Sequence, residues 1–171
     1  MTQLTQARLK QLLHYDAGTG LFTRLLDTGG GRHKAGTVAG CPGGRGGIYI
    51  ELWVDGRRYS AHRAAWLWMT GSWPQHQIDH RNLNAKDNRW ENLREATISQ
   101  NAMNIRGRAK SGAKGVYFIE NEKKCGRKRW RASIAKDGKS YSLGNFLTLE
   151  EAGAAYDAAA LRLHGEFARV S

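Results

Sequence analysis

The chain has 171 residues, with 27 Lys and Arg against 15 Asp and Glu, so its formal net charge is +12. A balance this basic favours nucleic acid as a partner, because Lys and Arg that bind phosphates release condensed counterions. A membrane-surface protein would also be cationic, but the sequence has no long apolar run, signal-like segment or lipidation motif, so we expect no membrane association. The length allows one domain or two small ones.

The two cysteines, Cys41 and Cys125, lie far apart and outside any C-x-x-C pair. Neither a zinc knuckle nor a disulfide framework is therefore indicated. This cysteine usage is typical of a reduced, intracellular protein.

The first predicted element is a helix that Thr5 can cap and that runs to about His14. A turn over 16–20 follows it. The glycine-rich stretch from Gly29 to Gly47 is either a connector or a loop that grips phosphate.

Alternating residues then predict a half-buried strand over 48–54, and Asp55-Gly56 predicts the turn of a hairpin. The return strand over 57–61 leads into a helix from His62 to about Thr70, closed by Gly71.

A short strand ending at Asp79-His80 is expected next, followed by a loop rich in Asn and Asp. The segment 97–100 has the form of a capping box, so Asn101 should lie one turn into a new helix. In that helix the spacing of Ile98, Ala102 and Ile105 predicts a buried stripe.

Small and basic residues over 107–114 predict a linker that can also follow a phosphate backbone. We therefore place one domain at 1–106, with its core motif at 76–106, and a second at 115–171. In the second, three short strands are predicted over 115–119, 129–136 and 140–146. A helix capped at Thr148 and ending near Gly165 follows them.

Four polar residues follow the spacing D-H-x11-N-x8-N, namely Asp79, His80, Asn92 and Asn101. This set suits phosphodiester hydrolysis, which needs an activated water and neutralisation of the phosphate charge. The neutral imidazole of His80 can take a proton from water, since the ordinary pKa of histidine is about 6.5. Asp79 and Asn101 offer hard oxygen ligands to Mg²⁺ or another divalent ion such as Mn²⁺, one per active site.

Asn92 is expected to support His80 by holding the imidazole in one tautomer and orientation. In this interpretation an oxygen accepts from Nδ1 and Nε2 takes the proton. The competing interpretation makes such residues turn formers, and we adopt it for the neighbouring Asn82, Asn84, Asp87 and Asn88.

The segment resembles the HNH nucleases, in particular the homing endonucleases of phages and introns. The resemblance covers about 1–106 and rests on Ile78-Asp79-His80, Asp87-Asn88-Arg89, Glu91-Asn92-Leu93-Arg94 and Gln100-Asn101. It implies a fold in which two strands and a helix enclose one metal ion, bound by Asp79 and Asn101. It also implies that His80 is the general base, that Asn92 orients it, and that the products carry 5′-phosphate and 3′-hydroxyl ends.

The upstream run Ala61-His62-Arg63, with Trp66 and Gly71, is similar to the helix before the motif in that family. Arg63 either holds a phosphate beside the site or is an ordinary surface arginine. His62 is either a further site residue or a capped or buried histidine.

The C-terminal residues 112–171 resemble the AP2 DNA-binding domain. The resemblance rests on Gly115-Val116-Tyr117, Trp130-Arg131-Ala132-Ser133-Ile134, Leu143-Gly144-Asn145-Phe146 and the alanine-rich stretch 150–160. It implies a sheet lying in the DNA major groove with a helix packed behind it. Trp130, Ala132 and Ile134 should then face the helix, while Arg131, Ser133 and Ala135 face outward.

This sequence departs from the family on the outward face, where the best-known members carry several Arg and Trp. The matching positions here are Tyr117, Ser133, Ala135, Ser140 and Ser142, and only Lys114 and Arg131 remain cationic. Docking on phosphates is therefore expected rather than base readout, helped by the basic loop 123–129, which is otherwise a solvated charge run. The expected DNA-binding residues are Arg63, Arg106, Arg108, Lys110, Lys114, Tyr117, Arg129 and Arg131.

The sequence thus predicts an α+β protein with an N-terminal nuclease domain of ββα-metal type, containing an antiparallel hairpin region, and a small AP2-like sheet on one helix. The expected function is metal-dependent cleavage of double-stranded DNA in the cytoplasm of a bacterial or phage-infected cell. The alternatives are a non-enzymatic DNA-binding regulator with a vestigial nuclease domain, and a nuclease directed at branched DNA or RNA. The pattern does not fix an oligomeric state.

Overall fold

The computed structural model describes residues 3–44, 46–104, 111–119, 130–136 and 138–168. The chain divides into two compact units, Met1–Thr97 and Ile98–Ser171. The sequence predicts a domain boundary after 106, and these predicted domain limits stay a prediction.

The first unit begins with a helix and a small antiparallel sheet. The elements are α1 (Gln6–Leu12), β1 (Leu13–Tyr15), β2 (Phe22–Arg24) and β3 (Val38–Ala39), with strand order β1-β2-β3. Thr5 caps α1 as expected, since its side chain accepts from the Arg8 N–H at 3.2 Å. The helix ends earlier than predicted because Leu13 already pairs in β1.

A second antiparallel sheet contains the predicted hairpin. It is formed by β4 (Cys41–Gly43), β5 (Tyr49–Val54) and β6 (Arg57–Ser60) in the order β4-β5-β6. Asp55 and Gly56 take positive φ values of 48° and 74° in its turn, as a tight hairpin turn requires. Helix α2 (Ala61–Thr70) follows at once and ends at Gly71 in the left-handed conformation.

Two further strands, β7 (Gln77–His80) and β8 (Leu93–Ala96), pair with each other in antiparallel fashion. The connection between them includes a short 3-10 helix, Trp90–Asn92. Helices α1 and α2 and the sheets of this unit share an apolar core. Leu9, Phe22 and Leu52 are among its fully buried side chains.

The second unit starts with α3 (Ile98–Asn104) and continues with β9 (Val116–Phe118), β10 (Trp130–Lys136) and β11 (Lys139–Phe146). The strands form an antiparallel sheet in the order β11-β10-β9. Helix α4 (Leu149–His164) shares a core with that sheet, and a 3-10 turn, Gly165–Phe167, follows it. Its cap is the expected one, because the Thr148 hydroxyl accepts from the Glu151 N–H at 3.1 Å.

The expected α+β fold with several small antiparallel sheets is confirmed. The expected buried stripe of α3 is wrong, because Ile98 is 75% exposed and Ala102 is exposed, while Ile105 lies outside the described residues. The helix instead buries Asn104. No helix among the described residues is long and apolar enough to cross a membrane.

Candidate functional site

Asp79 and His80 lie side by side at the end of β7, where β8 fixes their positions. Asp79 pairs with Arg94 and His80 with Leu93 in the antiparallel register. Both side chains are buried, with exposed fractions of 4% for Asp79 and 6% for His80. The strand pair therefore holds two ionisable side chains where water has little access.

The carboxylate of Asp79 forms a buried ion pair with Arg94. Nε and Nη2 of Arg94 both donate to Oδ2 of Asp79, at 2.9 and 2.7 Å. A buried charge is tolerated when it is paired in this way.

The imidazole of His80 is held by an amide that the sequence had assigned to turn formation. The side-chain oxygen Oδ1 of Asn88 lies 3.2 Å from Nε2 of His80, and Asn88 is buried. An amide oxygen accepts from a ring N–H, so this contact fits the tautomer that is protonated at Nε2. The sequence expected the opposite assignment of the two nitrogens.

Asn92 shapes the loop that carries Asn88. Its Oδ1 accepts from the Asn82 N–H at 3.0 Å, and its Nδ2 donates to the Asp87 carbonyl at 2.7 Å. Both polar atoms of the Asn92 side chain are thus bound within residues 81–92, which we call the site loop. The expected support of His80 by Asn92 stays a prediction.

Asp87 is the centre of the site loop. Asn82 Nδ2 donates to Asp87 Oδ2 at 2.7 Å, while Arg89 donates to both oxygens, from Nε at 2.9 Å and from Nη2 at 2.7 Å. The hydrogen bonds from Arg89 hold the pKa of Asp87 below its usual range. The Asn and Asp residues of this loop therefore do form turns, as expected, and in doing so they position Asn88.

A second histidine lies against His80. The rings of His62 and His80 meet edge to face, with 5.2 Å between their centroids. The ring centroid of Tyr49 also lies 5.2 Å from that of His62. His62 is buried, and its Nδ1 has no hydrogen-bond partner among the described residues. Of the two roles left open for His62, the structure shows a buried histidine, and it lies in contact with the site.

Burial keeps both imidazoles neutral. It lowers the pKa of His62 to about 3, with smaller contributions from His80 and Arg63. It also lowers the pKa of His80, against an opposing effect of the Asn88 hydrogen bond. At neutral pH, His80 is therefore present as the base rather than as the cation.

The remaining expected metal ligand, Asn101, lies half-buried on α3 in the second unit. Its role stays a prediction. Among the described residues there is no group of three or more His, Cys, Asp and Glu side chains that could hold a metal ion. The expected site has one carboxylate and one amide oxygen, so it is not a group of that type. Mg²⁺ often takes only one or two protein ligands and keeps several waters.

The expected DNA-binding residues are spread over both units. Arg63 on α2 donates to the carbonyls of His76 and Pro74, at 3.3 and 3.4 Å, just before β7. Tyr117 is 54% exposed, and Arg131 is exposed and donates from Nε to Asn145 Oδ1 at 3.3 Å.

The Nζ of Lys114 donates to carbonyl oxygens at the end of α3, including that of Ala102 at 3.5 Å. Four further residues expected to bind DNA lie outside the described part of the chain: Arg106, Arg108, Lys110 and Arg129. The basic loop 123–129 lies there as well.

Comparison with known proteins identifies the segment that carries this site. Residues 59–103 match the model of the HNH endonuclease family, and all four residues of the spaced set lie within them. A protein of Acanthamoeba polyphaga mimivirus, described as an uncharacterized HNH endonuclease, is 35% identical over 91 residues, which cover 53% of this chain and 44% of the relative. The chain thus spans less than half of that relative. No solved structure matches. The expected resemblance to the HNH endonucleases is therefore confirmed for residues 59–103.

Proposed function

We propose that the protein is a metal-dependent DNA endonuclease of the HNH homing type, which cleaves duplex DNA to 5′-phosphate and 3′-hydroxyl ends. One observation carries the proposal: a buried, neutral His80 is oriented by Asn88 and lies beside Asp79, inside the segment that matches the HNH model. An oriented neutral imidazole beside a carboxylate is the arrangement that base-assisted hydrolysis of a phosphodiester needs.

His80 acts as the general base in this proposal. Asn88 accepts from Nε2, so Nδ1 takes the proton of the attacking water. The lowered pKa keeps the ring able to accept that proton at neutral pH. The neighbouring His62 ring restricts how the His80 ring can turn, because their centroids lie 5.2 Å apart.

Asp79 and Asn101 would hold a divalent ion such as Mg²⁺ or Mn²⁺. The donor types fit, since carboxylate and amide oxygens are hard ligands. When bound, the ion would neutralise charge on the scissile phosphate and on the departing oxygen. Arg94 adds a fixed positive charge next to Asp79.

The second unit would hold the duplex as an AP2-like sheet. Its outward row places Tyr117 opposite Arg131, and Arg131 opposite Asn145, on three adjacent strands. With the net charge of +12, this row and the lysines and arginines expected to bind DNA favour contacts with phosphates. Base readout is not part of the proposal.

Incubation of supercoiled plasmid with the protein and Mg²⁺ tests the enzyme. We expect nicked or linear product from the wild type, none with chelator, and a rate about 10²- to 10⁴-fold lower for His80→Ala. His33→Ala is the matched control, because His33 is an exposed histidine in the same unit. Equal cutting by His80→Ala and the wild type contradicts the catalytic assignment.

Ligation of the purified product without kinase treatment tests the expected ends, because ligase needs a 5′-phosphate and a 3′-hydroxyl. Mapping of the cuts on both strands of a defined duplex tests the homing type. Tight duplex binding without any cleavage under these conditions is the result that the regulator alternative predicts.

A further inference from the structure

The site loop is bound from the side by the β1–β2 pair and its turn, residues 13–24, which we call the N-terminal hairpin. It lies outside residues 59–103, the part that matches the HNH model. Three separate contacts join the N-terminal hairpin to residues 88–90, and Asn88 is the residue that holds His80.

The first contact is a buried hydrogen bond. The Tyr15 hydroxyl donates to the Asn88 carbonyl at 2.6 Å, and Tyr15 is 2% exposed. The Tyr15 ring is fixed by packing on Phe22, with 4.9 Å between centroids. Because both partners are buried, leaving either without this bond is unfavourable, so the bond helps to fix the position of the Asn88 backbone.

The second and third contacts involve the turn of the N-terminal hairpin. The Trp90 N–H donates to the Ala17 carbonyl at 3.0 Å. Gly20 has a φ of 74°, and a Cβ built on it would lie 2.4 Å from the Arg89 nitrogen and from the Asn88 carbonyl carbon. The turn therefore touches the site-loop backbone so closely that only glycine fits.

We propose that the N-terminal hairpin is a positioning element of the catalytic site, which holds residues 88–90 so that the Asn88 amide keeps His80 in one orientation and tautomer. Tyr15 is its positioning residue. The inference rests on the proposed function in that His80 is taken as the general base. Ordinary packing of a hairpin would not need the Asn88 carbonyl bond, and the closeness of Gly20 to the Asn88 and Arg89 backbone goes beyond what its positive φ requires.

Gly20→Ala and Gly56→Ala form a matched pair that isolates this contact. Both glycines have a φ of 74°, so alanine is equally strained at either position. A Cβ at Gly56 has nothing within 4 Å, whereas at Gly20 it meets backbone atoms of the site loop. Any difference between the two variants therefore reports pressure on the site loop.

Tyr15→Phe is the second variant, since it keeps the buried ring and removes only the hydroxyl. Tyr59→Phe is its control, a half-buried tyrosine of the same unit that stacks on Trp73 at 5.5 Å. Tyr15→Phe also covers the case in which Gly20→Ala does not fold.

Two measurements need no cleavage. Hydrogen exchange of the Trp90 amide should be about tenfold or more faster in Gly20→Ala and unchanged in Gly56→Ala, since local opening exposes that amide. In ¹⁵N-histidine spectra, with the His80 signals identified by His80→Gln, the wild type should show a protonated Nε2. Tyr15→Phe and Gly20→Ala should show a mixture of the two tautomers, and the two controls should not.

The third measurement is single-turnover cleavage with duplex affinity determined in parallel. We expect both variants to cleave about tenfold or more slowly with duplex affinity near that of the wild type, because a misplacement of about 1 Å can cost on the order of 100-fold in rate. Loss of affinity in proportion to rate, or equal behaviour of variants and controls, overturns the inference. If the wild type does not cleave DNA, the proposed function fails, while the exchange and tautomer measurements still decide the role of the N-terminal hairpin.

Discussion

Both units have an apolar core, but they differ in the polar side chains that they bury in addition. In the first, polar and charged side chains between 62 and 94 are buried together: His62, Asp79, His80, Asn88, Asn92 and Arg94. In the second, the shared core of sheet and helix is apolar or aromatic: Val116, Ala132, Ile134, Ala152, Tyr156, Ala159 and Ala160. Among the described residues of the second unit, Asn104 is the one buried polar side chain.

The first unit therefore shields paired polar groups from water, whereas the second unit exposes polar side chains on its surface. Burying polar groups is unfavourable unless they are paired, and the first unit pairs Asp79 with Arg94 and His80 with Asn88. A proton acceptor needs that kind of shielded, fixed environment. The second unit instead has an apolar core between its sheet and helix and leaves Tyr117 and Arg131 exposed to solvent.

The largest effect is expected from breaking the buried ion pair. Arg94→Leu removes one partner of a buried ion pair, which costs about 3–5 kcal/mol in the free energy of unfolding. Urea unfolding followed by tryptophan fluorescence measures it, since five of the six tryptophans lie in the first unit, at 53, 66, 68, 73 and 90.

Arg131→Leu is the control for Arg94→Leu, because it removes an exposed arginine and should change the free energy of unfolding by about 0.5 kcal/mol or less. The double variant Asp79→Leu/Arg94→Leu should regain most of the lost stability, since it leaves no unpaired charge. Equal losses for Arg94→Leu and Arg131→Leu would contradict the comparison of the two units.

The next effect concerns the amide beside His80. Asn88→Ala should lower the cleavage rate about 10- to 100-fold, as the loss of partners that orient catalytic ligands commonly does, with little change in duplex affinity. Asn84→Ala is the control, because Asn84 is an exposed asparagine of the same loop. A similar decrease in both variants would show that the site loop as a whole, rather than the Asn88 amide, supports His80.

His62 should make the first unit sensitive to acid. Burial lowers the pKa of His62 to about 3. Below about pH 6.5, His62 therefore binds a proton in the unfolded chain but not in the folded protein. Stability from this group is complete above pH 6.5 and falls by about 1.4 kcal/mol per pH unit as the pH drops towards 3.

His62→Phe keeps an aromatic ring against His80 and should make stability depend less steeply on pH between 6.5 and 4. Urea unfolding of both proteins at several pH values measures this. Parallel pH profiles for His62→Phe and the wild type would show that His62 is not a neutral, buried histidine.

The smallest effect is expected on the outward face of the second unit. Arg131→Ala should weaken duplex binding by about 1 kcal/mol or less, equally for unrelated sequences, and reduce the salt dependence by about one phosphate contact. Fluorescence anisotropy at several salt concentrations measures both. A loss confined to one DNA sequence would indicate base readout instead.

Much of the local structure follows from short-range patterns in the sequence. Thr5 and Thr148 cap helices where expected, Asp55-Gly56 forms the hairpin turn, and Asp79-His80 ends a strand. These features depend on a few neighbouring residues, and the expected HNH segment depends on a spacing within one stretch of chain. The β1-β2-β3 sheet was not predicted, because its strands have only two or three residues and show no usable alternation.

The stripe of Ile98 and Ala102 shows why periodicity alone fails. Apolar spacing predicts which side of a helix could be buried, but a seven-residue helix buries whichever side its surroundings cover. In α3 the buried residue is Asn104, which is polar.

The sequence by itself predicted the type of chemistry, because Asp79 and His80 are adjacent in the chain and Asn92 and Asn101 follow them at a fixed spacing. Only the tertiary structure decided which amide holds His80, which histidine packs against it, and that Tyr15 and Gly20 bind the site loop. The physical reason is that these contacts join residues distant in the chain, and several asparagines of one loop are equivalent until the loop is folded.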